Sequence, residues 1–339
     1  MAQSLAVRYR PKNFDEMLAQ KSVIQVLKRQ LETNQISHTY LFCGSSGCGK
    51  TTTAYVLAKA INKGVGSPIE IDAASNSGVD NVRQIITDAK QRSIDSEYKI
   101  FIIDEAHALT STAWQAFLKC IEEPPEYTIF IFCTTNPEKV PETIQNRCMR
   151  FNITKVPTNL IYDRLCFICK NEGFINYEEA CDYISKISNG GVRDAIATLE
   201  KCAGYSIDLR IENILECLGA FSYNSMFDLT GAIFNCDEGF ILSIVDQYYN
   251  AGTDLNIFIE QYLDFVIDLT KYCLFKDMTI IKIPNNLVDR CSKFALIPDS
   301  LKFVNMLVDK VLEIKNMIKR DANCKTTIEA MFIKLCREN

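Results

Sequence analysis

The run Gly44-Ser45-Ser46-Gly47-Cys48-Gly49-Lys50-Thr51 carries the residue types that bind phosphate. Glycines let successive backbone N–H groups converge on an anion, and the N-terminus of a following helix favours negative charge there. A lysine at the end of such a loop reaches the β- and γ-phosphates of a nucleotide, and the hydroxyl beside it ligates Mg²⁺. Lys50 and Thr51 hold those positions, with Thr52 next in line. Further along, Lys99-Ile100-Phe101-Ile102-Ile103 ends in Asp104-Glu105. Such a pair supplies the second half of a hydrolytic site: Asp104 for the Mg²⁺ shell and Glu105 to polarise the attacking water. Cys48, inside the loop, adds a chemical handle. If its thiol is accessible, alkylation should block hydrolysis and ATP should protect.

Elements must position these groups. Tyr40-Leu41-Phe42 reads as a strand before the glycine-rich turn, and 52–62 as the helix after it, the order a phosphate loop needs. Ahead of it, Val7-Arg8-Tyr9-Arg10-Pro11-Lys12-Asn13-Phe14 reads as an extended, proline-stopped stretch. A helix over 22–34 follows, with Val23, Val26, Leu27 and Leu31 on one face. After the loop come an apolar strand at Ile69-Glu70-Ile71, a turn over 72–78 with Asn76 or Ser77 as helix cap, and a helix to about 93. The strand over 99–105 leads to a helix over 112–121 that the prolines of Glu122-Glu123-Pro124-Pro125 terminate. A nearly all-apolar strand over 128–133 delivers Thr134-Thr135-Asn136-Pro137 to the sheet's C-terminal edge, where ligands bind in open α/β sheets. A helix carrying Gln145-Asn146-Arg147-Cys148 and a last strand over 150–153 complete a doubly wound parallel α/β domain.

Beyond Pro157 the pattern is helical: 160–171, 177–188 and 192–203. Arg193 at a helix start opposes the helix dipole, which hints at another task. In the last third, Leu255, Phe258, Ile259, Tyr262, Leu263, Val266 and Leu269 form an apolar stripe, and Leu301, Val304, Val308, Val311 and Leu312 a second.

The chain of 339 residues carries a formal net charge of −5, with 47% hydrophobic and 23% charged residues, so it is not a generically basic nucleic-acid binder. Any DNA contact must be local. Its fifteen cysteines are scattered, as reduced, buried thiols would be, and two histidines leave little for histidine chemistry. With no signal-peptide core and no membrane-length apolar run, a cytoplasmic location is expected.

Together the motifs resemble the gamma/tau subunit family of bacterial DNA polymerase III, the motor of the sliding-clamp loader, and are related to the small subunits of replication factor C in the same AAA+ group. The resemblance rests on Tyr9-Arg10-Pro11-Lys12-Asn13-Phe14, the phosphate loop, Glu70-Ile71-Asp72-Ala73-Ala74-Ser75-Asn76, and Ile103-Asp104-Glu105-Ala106-His107. Glu122-Glu123-Pro124-Pro125-Glu126, Thr134-Thr135-Asn136-Pro137, Asn146-Arg147-Cys148 and Gly191-Val192-Arg193-Asp194 complete it. It is densest from Val7 to about Ala203, and its Glu70–Asn76 segment favours the bacterial family over replication factor C. It implies a five-stranded parallel AAA+ ATPase domain over 1–157, a three-helix lid over 158–220 and an all-α collar over 221–339. It also implies roles: Thr135 as sensor 1 at the γ-phosphate, Arg193 as sensor 2 from the lid, and Arg147 as the arginine finger of a neighbour's site. Val7, Arg8 and Pro11 would surround the adenine, and Asn76, Ser77, Gly78 and Arg83 would meet the DNA backbone. The implied cofactors are ATP and Mg²⁺. The implied partners are other loader subunits in a ring of about five, a sliding clamp and primer-template DNA, with no membrane.

The chain departs from the family in three ways. Residues 63–68 leave no room for the usual four-cysteine module, so no zinc is expected. Asn146 stands where the finger motif has serine, which alters the hydrogen bonding beside Arg147. The chain stops at Asn339 without the long tau extension, as would suit a phage-encoded version. Three other readings stay open: a DEAH-type helicase, a non-catalytic stator of the loader, and another AAA+ remodeller of the branch-migration type.

Overall fold

The computed structural model describes residues 3–219, 221–318 and 323–338. The expected domain limits at 1, 220 and 339 lie outside the described residues. Backbone contacts divide the chain into two units, one of residues 1–168 and 188–200 and one of 169–187 and 201–339.

The first unit is built on a parallel sheet of β1 (Thr39–Cys43), β2 (Ile69–Asp72), β3 (Lys99–Asp104), β4 (Thr128–Thr134) and β5 (Met149–Asn152). Their order across the sheet is β2-β3-β4-β1-β5. Alternate residues of the central strands point to opposite faces, and both faces are covered. On one, Leu41, Phe101, Phe130 and Phe132 pack with Trp114 and Phe117 of the helix Ser111–Glu122 and with Val82 of the helix Val79–Ala89. On the other, Phe42, Ile102 and Ile131 pack with Leu27 of the helix Lys21–Glu32 and Leu57 of the helix Lys50–Ile61. All seven residues of β4 are buried: the apolar run Ile129–Cys133 lies between Thr128 and Thr134, and the Thr128 hydroxyl donates to Ala89 O at 2.7 Å. Fully burying a side chain of this size contributes about 1.5–3 kcal/mol, so these two layers hold the sheet rigid beneath the site.

Register brings the strand ends level: Asp72 lies opposite Asp104, and Cys43 opposite Thr134 and Asn152. Chain segments leaving β1, β3 and β4 therefore emerge side by side.

Three local expectations change. The N-terminal arm is not wholly extended: Leu5–Arg8 forms one helical turn, which Pro11 prevents from growing. Ile69-Glu70-Ile71 is an edge strand with mostly exposed side chains, because β2 has a neighbour on one side only. Neither Asn76 nor Ser77 caps the next helix. Gly78 is the N-cap, while the Asn76 amide is spent on Asp72 O at 3.1 Å.

The second unit is helical. The helix Leu255–Phe275 is its spine, and the whole first stripe, Leu255 to Leu269, is buried. Phe258, Tyr262 and Phe265 meet Phe227, Phe332 and the helix Ser300–Ile318. The second stripe is shifted: Val304 and Val311 are buried with Phe303, Leu307 and Ile314, whereas Leu301 and Val308 are half-buried and Leu312 is 40% exposed. Both sets keep the helical spacing of three and four residues; the buried one is rotated round the helix toward Leu307 and Ile314. Among the described residues no helix is long and apolar enough to cross a membrane.

Candidate active site

The loop from Gly44 to Gly49 links β1 to the helix Lys50–Ile61. Gly47 and Gly49 adopt φ +70° and +103°, a region that side chains with a Cβ rarely occupy. Gly44 is required for another reason: a Cβ there would lie 2.3 Å from Ile153 O. Ser45 and Ser46 form the exposed crest. Lys50 is buried and donates from Nζ to Ser45 O at 2.9 Å, so its amine caps a carbonyl of the loop. Thr52 stands in the first turn of the helix, half-buried.

The second half of the site meets the first directly. Thr51 Oγ1 donates to Asp104 Oδ2 at 2.8 Å, joining the loop to the end of β3. Two adjacent hard oxygen donors with open coordination fit Mg²⁺, which takes one or two protein ligands and completes its shell with phosphate and water. Among the described residues no group of three or more His, Cys, Asp or Glu is arranged to hold a metal ion.

Glu105 turns out of the strand with φ 46° and ψ 42°, left-handed for a residue with a side chain. Its N–H donates to Asp104 Oδ1 at 3.0 Å, which holds that turn. Thr135, just past β4, donates from Oγ1 to Glu105 Oε2 at 3.0 Å. Thr51, Asp104, Glu105 and Thr135 thus form one hydrogen-bonded constellation at the ends of β1, β3 and β4, with Lys50 beside Thr51 in the chain.

Other expected residues lie apart from it. Val7 and Arg8 are exposed on the N-terminal turn and Pro11 is half-buried. This arm is anchored by Leu5 N–H to Glu200 Oε1 at 3.1 Å and by Tyr9 edge-on to Phe167. Arg193 is exposed at the start of the helix Val192–Tyr205, and the neighbouring Val192 N–H donates to Gly47 O at 3.1 Å, so that helix start abuts the phosphate loop. Arg147 does not join the constellation. It follows the short helix Glu142–Gln145 and pairs with Glu122. Asn146 beside it is exposed, its N–H bonded to Glu142 O. Asn76, Ser77 and Gly78 occupy the turn before the helix Val79–Ala89, and Arg83 on that helix pairs with Asp80 at 3.2 Å. Cys48 is only 3% exposed and packs into the core, so the alkylation expected of an accessible thiol has no accessible thiol to act on.

Three participants had escaped sequence reasoning. His107 Nδ1 lies 3.2 Å from Glu105 Oε2 and 3.2 Å from Thr134 Oγ1. Asp194 stands so close that a Cβ on Gly47 would fall 2.9 Å from its Oδ2. Glu122 holds Arg147 at 2.7 Å. All three stand inside motifs that carry the resemblance, His107 two residues beyond Glu105, Asp194 next to Arg193 and Glu122 at the head of Glu122-Glu123-Pro124-Pro125, but nothing in those motifs named their partners.

Two family models match the chain in succession. The DNA polymerase III, delta subunit model covers residues 19–67 and 67–157, and the model for DNA polymerase III subunits gamma and tau domain III covers 209–337. DNA polymerase III subunit gamma of Buchnera aphidicola subsp. Schizaphis graminum is 30% identical over 316 residues, which span 86% of this chain and 87% of that protein. The chain belongs to the gamma/tau family of DNA polymerase III subunits.

Among longer members of the gamma/tau family, DNA polymerase III subunit tau of Bacillus subtilis is 34% identical over 292 residues, 80% of this chain and 52% of that protein. The gamma/tau subunit of Mycoplasma genitalium is 29% identical over 304 residues, 83% of this chain and 51% of that protein. The chain thus spans about half the length of these relatives. Among solved structures, the Thermotoga maritima RuvB Holliday junction branch migration motor superposes with a TM-score of 0.53 at 16% identity, covering 76% of this chain and 90% of that one. That likeness shows the fold of this gamma/tau chain: a five-stranded parallel α/β domain followed by a mostly helical region.

Proposed function

We propose that this chain is the ATP-hydrolysing motor subunit of a DNA polymerase clamp loader, which opens a ring-shaped sliding clamp and sets it on primed DNA during replication. The observation that carries the reading is the hydrogen-bonded constellation of Thr51, Asp104, Glu105 and Thr135, with Lys50 beside Thr51, in a chain of the gamma/tau family. A non-catalytic stator would have no use for both halves of a hydrolytic site so closely coupled.

The N–H groups of residues 44–49 and the Lys50 amine hold the phosphates, with Val7, Arg8 and Pro11 against the adenine. Thr51 and Asp104 hold Mg²⁺, which when bound neutralises charge on the β- and γ-phosphates. Glu105 orients and polarises the water, while Thr135 sets its carboxylate and feels the γ-phosphate. Arg193 reaches the nucleotide from the lid. Arg147 enters the neighbouring subunit's site, so a lone subunit hydrolyses ATP poorly; a cation supplied in this way is worth about 10³–10⁵ in rate. ATP binding between subunits orders an open spiral that grips the clamp. Primed DNA, met by Asn76, Ser77, Gly78 and Arg83, brings Arg147 to the neighbour's γ-phosphate, and hydrolysis releases the phosphate contacts so that the clamp closes. The driving force is the difference in affinity between ATP and ADP states.

The division of labour follows 1–157 as motor, 158–220 as lid and 221–339 as collar. The cofactors are ATP and Mg²⁺ without zinc, the partners are further loader subunits in a ring, the clamp and primer-template DNA, and the location is the bacterial cytoplasm. The test is ATP turnover of the assembled loader with primed DNA and cognate clamp. Both together should stimulate it, and Arg147→Ala should lower the stimulated rate by about 10³-fold or more. Stimulation by duplex DNA alone would instead mark a branch-migration type of motor.

A further inference from the structure

Glu122 ends the helix Ser111–Glu122 and begins Glu122-Glu123-Pro124-Pro125, a stretch to which the proposed function gives no task. Its Oε1 accepts from Arg147 Nη2 at 2.7 Å, and Arg147 Nη1 donates to Thr143 O at 2.7 Å. The guanidinium is thus held by two acceptors, one at the end of a long helix and one in its own short turn. A planar group bound at two nitrogens has its plane and direction set, and five N–H donors leave three for another ligand. The Arg147 side chain stays 39% exposed, open to a group from another chain. The anchor is firm: Trp114 and Phe117 bury the helix against the sheet, and Pro124 and Pro125 fix where it ends.

We infer that Glu122 is a positioning residue for Arg147, holding the guanidinium in the direction from which it enters a neighbouring subunit's ATP site. The inference rests on the trans-acting role proposed for Arg147. A carboxylate that only sequestered the guanidinium would compete with phosphate for the same nitrogen, and its removal would speed turnover. A positioning carboxylate gives the opposite sign.

The experiment is steady-state phosphate release by the assembled loader with primed DNA and cognate clamp. It compares Glu122→Ala, Glu122→Gln, Arg147→Ala and the double variant Glu122→Ala/Arg147→Ala. Misdirecting a reacting group should lower kcat of Glu122→Ala about tenfold while leaving KM for ATP unchanged. Glu122→Gln, whose amide oxygen still accepts from Nη2, should regain most of the rate. The double variant should be no slower than Arg147→Ala, because Glu122 acts only through that side chain. A faster or unchanged Glu122→Ala overturns the proposal, and so does a further loss in the double variant, while both leave the role of Arg147 standing. Full turnover by Arg147→Ala would instead remove the trans-acting role itself, and the inference with it.

Discussion

Glu105 holds a left-handed backbone that costs about 1–2 kcal/mol for a residue with a Cβ, and such strain collects at functional positions. The N–H bond to Asp104 and the Thr135 hydroxyl on Oε2 keep it there. Glutamine in its place would still accept from Thr135 but could not polarise water as a carboxylate does. Glu105→Gln should slow single-turnover hydrolysis about 10²–10⁴-fold, the range of a lost general base, with nucleotide affinity unchanged. Fluorescent-nucleotide binding measured beside hydrolysis decides it: parallel loss of binding would make Glu105 structural. The residue types at 44–51 and 104–105 announced themselves because each motif is local, a few residues whose backbone shape and chemistry are fixed by their neighbours. The contacts of Thr135 with Glu105 and of Glu122 with Arg147 were not legible, since each joins segments brought together only by the sheet.

Among the elements, the turn after β2 is the most telling. Asp72 is held below the usual carboxylate range, first by the Ser75 hydroxyl and then by the Ala74 N–H. The sign follows: a depressed carboxyl adds stability that is present above its unfolded pKa and is lost as pH falls through the folded one. The Asn76-Ser77-Gly78 segment proposed to meet DNA should therefore keep its shape at neutral pH and loosen in acid. Ser75→Ala should raise the Asp72 midpoint in an NMR pH titration, and an unchanged midpoint would refute the account. The strands and helices of the first unit were legible from periodicity. The cap was not, because Asn76 had an alternative acceptor in Asp72 O, and polar side chains choose among such partners by geometry.

For the molecule as a whole, the second unit draws residues 169–187 and 201–219 together with the C-terminal helices. Tyr183 meets Tyr223 edge-on, and Lys186 donates to Met278 O at 3.3 Å. A fragment of residues 1–219 should leave the helix Glu178–Ile187 without these partners. Its amides should exchange with deuterium far faster than in the full chain, and equal protection would show that helix to be independent of them. The sequence by itself determined the phosphate loop, the acidic strand end, the α/β-then-helical order and the buried stripe from Leu255 to Leu269. These depend on periods of a few residues, which side-chain type alone specifies. Only the tertiary structure decided that β1 lies between β4 and β5, that Thr51 touches Asp104, that Cys48 is buried, and that Arg147 rests on Glu122. Those facts depend on how distant elements pack, and packing is a property of the whole set of side chains rather than of any one stretch.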